Sequence, residues 1–163
     1  MQEENDWGET IIKNIVAMFG VMGLRWYVGL LALSVAITSW VLLPEGGWDW
    51  REVFHCAARL WGSQEIWLSC PFPYSPLTAL AVAPLGLLSD RLATSLINAI
   101  SVVILGLVAK KFNAPQWIIF PVLFSPSGYW LFKNGQVDAL PLIGLLLPTQ
   151  WAVFAFAIKP QAA

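Results

Sequence analysis

The chain consists of long uncharged stretches separated by short polar segments. Five such stretches follow one another: Trp26 to Pro44, Ile66 to Ser89, Leu92 to Ala109, Phe112 to Phe132 and Ala139 to Ile158. An α-helix rises about 1.5 Å per residue and the hydrocarbon layer of a bilayer is about 30 Å thick, so roughly 20 apolar residues cross it. Each stretch is close to that length. The pattern predicts an all-α fold, a polytopic transmembrane helical bundle of about five spans.

Composition supports the same class of protein. Hydrophobic residues make up 58% of the 163 residues, charged residues only 12%, and the mean hydropathy is +0.66. A soluble domain carries about 25% charged residues. We therefore expect a multi-pass integral membrane protein of the plasma or cytoplasmic membrane, in contact with membrane lipid. The formal net charge is −1 and no basic run occurs, which argues against nucleic acid as a partner.

The polar segments suggest a simple domain organisation. Residues 1–25 form an N-terminal polar or interfacial segment, and residues 26–163 form the transmembrane domain. The first extramembrane loop covers about residues 44–73 and contains a short amphipathic helix. Asp49 followed by Glu52 has the form of a capping box, which would start this helix.

One face of the predicted loop helix is apolar. Val53, Ala57 and Leu60 recur at helical spacing, whereas His55 falls on another face and is interpreted as a surface residue. Several tryptophans surround the helix, so we expect it to rest on the membrane surface.

Prolines interrupt the last two apolar stretches: Pro115, Pro121, Pro126, Pro141 and Pro148. Proline removes a backbone donor and breaks or kinks a helix. We expect these two segments to be broken or re-entrant.

The two cysteines, Cys56 and Cys70, both lie in the first loop. If that loop faces an oxidising compartment, they can pair and close a loop of about 15 residues, worth roughly 3 kcal/mol in the chain-entropy model. The alternative is two unrelated buried thiols.

Few residues have the chemistry of a metal or cofactor site. The chain has one histidine, no Cys-x-x-Cys pair and no phosphate-binding glycine loop, so we expect no metal and no cofactor. Asp138 lies in strongly apolar surroundings, where an acidic residue is costly unless it is paired or hydrated and is usually functional. Alternatively, it lies in the polar turn formed by residues 133–136 at the interface.

Several short motifs occur in a fixed order after the first apolar stretch. They are Trp48-Asp49-Trp50, Tyr74-Ser75-Pro76-Leu77, Pro84-Leu85, Asn98, Asn134-Gly135-Gln136-Val137-Asp138 and Ile158-Lys159-Pro160. This series resembles the amino-terminal part of glycosyltransferase family 87, polytopic enzymes of the GT-C superfamily. Such enzymes run to several hundred residues, so the resemblance predicts a truncated member.

The resemblance implies a hexosyltransferase that takes a sugar, often mannose, from a polyprenyl-phosphate donor at the extracytoplasmic face. By position, Asp49 would be the general base that activates the acceptor hydroxyl. Arg51, Arg59 and Lys133 are candidates, by charge alone, for binding the phosphate. The motif residues Tyr74, Gln136 and Asp138 are further substrate-binding candidates. The family commonly has Asn in place of Asp138 and Tyr in place of Phe54.

Three alternatives remain open at this point. Asp49 can serve simply as a helix N-cap. The chain can be a non-catalytic subunit that packs against other integral membrane proteins through its proline-broken segments. A small transporter is a third hypothesis, resting only on Lys133 and Asp138 in apolar surroundings.

Overall fold

The computed structural model describes residues 23, 26–60, 70, 75–115 and 118–158. Every regular element in those ranges is helical and none is a strand, which confirms the all-α class. Most of the predicted N-terminal segment 1–25 lies outside the described residues, as do parts of the first loop.

The helices follow one another with short connections. Helix α1 covers Trp26–Leu42. After a turn, a π-helical segment, Trp50–Phe54, runs directly into α2, His55–Arg59. Helix α3, Pro76–Val82, continues as a 3-10 turn, Ala83–Leu87, and α4 covers Asp90–Lys111. Helices α5 and α6 cover Ile119–Phe124 and Pro126–Asn134. A 3-10 helix, Leu140–Leu146, precedes α7, Thr149–Phe156.

Helix α4 is the longest described element, with 22 residues. The Ser89 side chain accepts a hydrogen bond from the Leu92 N–H and so caps its start. Asp90 lies in the first turn, and Lys110 and Lys111 lie in the last, which matches the polarity of the helix dipole. In the part of the chain that the structure describes, α4 is the one helix long and apolar enough to cross a bilayer.

The structure does not form five continuous spanning helices in the described ranges. Helix α1 and the segment Pro76–Leu87 are apolar but shorter than α4. The last two apolar stretches are each divided, as their prolines lead one to expect. Ser125 has an extended backbone before Pro126, and this break separates α5 from α6. Leu147 likewise has an extended backbone before Pro148, and this break separates the 3-10 helix from α7.

Two clusters of buried side chains hold these elements together. The first joins the π-helical segment and α2 to α3 and α4, with Trp50, Phe54 and Val82 among its fully buried members. The second joins α1, α4 and α5 through Val28, Val102 and Ile119. The 3-10 helix Leu140–Leu146 packs on both α4 and α7.

Asn98 connects three helices through one side chain. Its Nδ2 atom donates to Ser39 Oγ of α1 at 2.8 Å and to the Phe132 carbonyl of α6 at 2.9 Å. The last carbonyls of a helix lack partners within the helix, and Asn98 supplies one for Phe132. Because Asn98 is completely buried, its side chain fixes α1 and α6 against α4.

Replacing Asn98 with Ala is therefore expected to destabilise the fold by about 1–3 kcal/mol, since it removes two buried hydrogen bonds. Ser101→Ala is the matched control. Ser101 is also buried on α4, but its hydroxyl bonds only to Ile97 O of the same helix. Thermal unfolding followed by tryptophan fluorescence measures both. Equal losses for the two variants would show that Asn98 does not join the helices.

Candidate functional site

Asp49 lies at the start of the loop helix, but it does not cap that helix. Its backbone is itself helical, with φ −62° and ψ −35°, and its side chain makes no capping hydrogen bond. The capping box predicted for Asp49 and Glu52 is therefore wrong, because a residue in helical conformation cannot fold its carboxylate back over the first turn. Instead, Asp49 Oδ2 accepts a hydrogen bond from Gln136 Nε2 at 2.6 Å.

A close backbone approach brings the segments of Asp49 and Gln136 together. A Cβ atom at Gly47 would lie 2.4 Å from the carbonyl carbon and oxygen of Asn134, so only glycine permits this contact. The Gly47 N–H also donates to Thr94 Oγ1 at 2.9 Å. The loop that carries Asp49 is thus fixed between α4 and the end of α6.

The end of α6 directs Gln136 toward this loop. Gly135 adopts a left-handed conformation, with φ +65°, and ends the helix. The N–H groups of Gly135 and Gln136 both donate to the Leu131 carbonyl. The Gln136 backbone is therefore fixed by the helix end, and its side chain reaches a partner 87 residues away in the sequence.

A second polar cluster fixes the residue after Asp49. Trp50 is fully buried, and its Nε1 atom donates to Asp90 Oδ1 at 3.0 Å. His55 Nδ1 lies 2.5 Å from the same oxygen, and its ring stacks on Trp50. His55 is thus half-buried against Asp90, whereas the helical pattern predicted a surface position. No sequence signal identified Asp90 as its partner, because the two residues lie far apart in the chain.

The three candidate phosphate-binding cations lie in different surroundings. Arg51 forms an ion pair with Glu45 at 2.8 Å. Arg59 lies beside His55 and Asp90 on a separate pocket of about 660 Å³. The Lys133 ammonium lies over the rings of Trp130 and Tyr129, at 5.2 Å and 5.7 Å from their centroids. Of the three, only Lys133 is in the segment that leads to Gln136.

Lys133 lines a groove between α1 and α6. Two adjoining cavities, of about 440 Å³ and 340 Å³, share several lining residues and form this groove, which we call the α1–α6 groove. Its lining residues are Leu31, Ser34, Val35, Thr38, Ser39, Leu42, Leu43, Leu123, Phe124, Tyr129, Phe132 and Lys133. Most are apolar, the hydroxyl residues are distributed over both cavities, and Lys133 lines the smaller one. The groove is therefore mainly apolar and contains one cationic residue.

Asp49 is connected to the α1–α6 groove through the end of α6. Lys133 and Gln136 are three residues apart, so their Cα atoms are separated by at most about 11 Å. Gln136 in turn is hydrogen-bonded to Asp49. The residue that lines the groove and the residue that holds the carboxylate are therefore close neighbours in the chain.

The two remaining substrate-binding candidates, Asp138 and Tyr74, have no described contact with Asp49 or with the groove. Asp138 is half-buried in the turn between α6 and the following 3-10 helix, where it has an interaction partner. Tyr74 lies outside the described residues. Within the described ranges, no group of three or more His, Cys, Asp or Glu side chains is arranged to hold a metal ion.

Cys56 and Cys70 form a disulfide bond in the structure, with their Cα atoms 5.8 Å apart. Cys56 is in α2, whose neighbours Trp50 and His55 contact Asp90. The bond therefore ties the chain around Cys70 to the helix that follows Asp49.

Comparison with known proteins finds no matching family model, no significantly similar curated protein and no significantly similar solved structure. The motif series and the geometry around Asp49 are therefore the basis for any functional assignment.

The disulfide makes a direct prediction about thiol reactivity. Protein denatured without reductant is expected to take up no maleimide, whereas reduced protein takes up two per chain, because both cysteines are bonded to each other. Mass spectrometry of the intact chain counts the labels. A Cys56→Ser variant serves as the control and should take up one label without reductant. Two labels on the non-reduced parent chain would contradict the bond.

Proposed function

We propose that this chain is a multi-pass membrane glycosyltransferase that takes a sugar from a polyprenyl-phosphate carrier, with Asp49 as its general base. The observation that carries the proposal is the hydrogen bond between Asp49 and Gln136, three residues along the chain from Lys133, which lines a mainly apolar groove. The resemblance of the ordered motifs to glycosyltransferase family 87 supports the same assignment.

The distribution of apolar residues supports a location in the membrane. Helix α4 exposes a continuous apolar stripe: Leu92, Leu96, Ile100, Val103 and Leu107. Its buried face includes the polar residues Thr94, Asn98 and Ser101. A helix on the surface of a soluble protein has the opposite arrangement. Helix α1 likewise leaves Leu30, Leu33 and Ile37 more than half exposed.

The α1–α6 groove suits a lipid-linked phosphate. A polyprenyl phosphate has a long apolar chain and an anionic head, and the groove has a mainly apolar lining that includes Lys133. An ammonium group binds a phosphate through charge-assisted hydrogen bonds. With the phosphate at Lys133, the attached sugar would lie toward Gln136 and Asp49.

The proposed reaction is a direct transfer. The acceptor hydroxyl gives its proton to the Asp49 carboxylate while its oxygen forms a bond to the anomeric carbon of the sugar. The bond between that carbon and the phosphate oxygen breaks, and the electron pair leaves with the polyprenyl phosphate. Donor and acceptor supply all the atoms, so no further reactant is needed.

The disulfide supports placing this end of the molecule on the extracytoplasmic side. Disulfides persist in oxidising compartments and are rare in the cytosol. The Cys56–Cys70 bond lies in the same segment as Asp49, so the proposed chemistry takes place on the outer face.

The first test replaces Asp49 with Asn. Loss of the base is expected to lower kcat about 10²- to 10⁴-fold, with polyprenyl-phosphate mannose as donor and an alkyl mannoside as acceptor. Glu52→Gln is the control, because Glu52 is an exposed carboxylate one turn along the same helix and should leave the rate unchanged. A fully active Asp49→Asn enzyme would exclude the role of Asp49 as base.

The second test replaces Lys133 with Gln. Removal of the ammonium is expected to raise the KM for the polyprenyl-phosphate donor about tenfold, because a charge-assisted bond to the phosphate is lost. Lys111→Gln, at the exposed end of α4, should leave the KM unchanged. Equal donor KM values for the parent enzyme and Lys133→Gln would remove Lys133 from the donor site.

A second candidate function is that of a non-catalytic subunit bound to other membrane proteins. The exposed side chains Trp151, Val153 and Phe154 on α7 favour it, since they form an apolar surface next to a cavity of about 420 Å³. A stoichiometric partner in native membranes, together with no transfer by the purified chain, would favour this function over the enzyme.

A further inference from the structure

Gln136 makes a contact with Asp49 that is more specific than substrate binding requires. The donor atom Gln136 Nε2 and the acceptor atom Asp49 Oδ2 are 2.6 Å apart, which is short for a bond between an amide and a carboxylate. The contact is partly buried. One oxygen of Asp49 is thus occupied by a protein donor before any substrate binds.

The described residues make no hydrogen bond to the other carboxylate oxygen, Asp49 Oδ1. Asp49 as a whole is half-exposed. A base needs one oxygen within hydrogen-bond distance of the proton that it takes. Oδ1 is the oxygen available for that task.

The backbone next to Gln136 packs against the backbone segment of Asp49. A Cβ atom at Gly135 would lie 3.2 Å from Trp50 Cβ, so the turn before Gln136 rests on the residue after Asp49. Trp50 is fixed in turn by its bond to Asp90. The segments that carry Gln136 and Asp49 are therefore held next to each other by neighbouring contacts as well as by their own hydrogen bond.

We infer that Gln136 is a positioning residue for Asp49: it holds Oδ2 and thereby presents Oδ1 to the acceptor hydroxyl. This inference rests on the proposed function. The acceptor proton passes to Oδ1, the acceptor oxygen bonds to the anomeric carbon, and the polyprenyl phosphate leaves with the electron pair. Gln136 exchanges no proton in this step, because an amide is neither an acid nor a base at neutral pH.

The main test is Gln136→Met, which keeps the length of the side chain and removes the donor. We expect kcat to fall about ten- to a hundredfold, the range for loss of a hydrogen bond to a charged group. The KM for polyprenyl-phosphate mannose should stay within about twofold of the parent value. A substrate-binding role would produce the reverse, a raised KM with an unchanged kcat, and would overturn the inference.

Gln136→Glu gives a readout that a purely structural role would not change. Two carboxylates at hydrogen-bond distance share a proton, so the acid limb of the pH–rate profile should move to higher pH by about one unit or more. Glu also preserves the shape of the side chain, so this variant keeps the test valid if Gln136→Met does not fold. An unchanged profile would overturn the inference.

A swap of side-chain length tests the contact itself. Gln136→Asn shortens one side chain by a methylene group, and Asp49→Glu lengthens the other by the same amount. The double variant therefore restores the combined length of the two side chains. We expect the double variant to be more active than the product of the two single effects predicts. Simple additivity would show that the two residues act independently.

Failure of this inference is distinguishable from failure of the proposed function. An inactive Asp49→Asn enzyme beside a fully active Gln136→Met enzyme overturns only the role of Gln136. Absence of transfer by the parent chain under the same conditions overturns the proposed function and this role with it.

Discussion

The buried side chain of Asn98 is the constraint on which the architecture depends. Its two hydrogen bonds end at Ser39 of α1 and at Phe132 of α6, and both of these residues line the α1–α6 groove. The same side chain that joins the helices therefore sets the distance between the two walls of the groove. A buried amide in apolar surroundings is costly when its partners are lost, so the spacing has one strongly preferred value.

The segment that carries Asp49 is also held in place by close contacts with other helices. Gly47 lets the loop backbone touch the end of α6, and Trp50 is bonded to the first turn of α4. These contacts leave Asp49 in a helical conformation, with its carboxylate directed to Gln136. The position of the carboxylate is consequently set by the contacts between this loop, α4 and the end of α6.

Local patterns in the sequence predicted the helical class and the interruption of the last two apolar stretches by proline. They did not predict the partner of Asp49 or that of His55, because those contacts join residues far apart in the chain and depend on how the helices pack. The capping box failed for a related reason: the tertiary contact with Gln136 takes the place of the local one. Hydrophobic periodicity describes one segment at a time, whereas a site is made of several.

The most direct measurement is photolabelling of the protein in lipid nanodiscs with a diazirine-bearing polyprenyl phosphate, followed by identification of the labelled peptides. We expect labels in residues 31–43 and 123–133, the segments that contribute the lining of the α1–α6 groove, and we expect these labels to disappear when excess unlabelled polyprenyl phosphate competes. Labels confined to the face of α7 and the preceding 3-10 helix, or labels that do not respond to competition, would contradict this expectation.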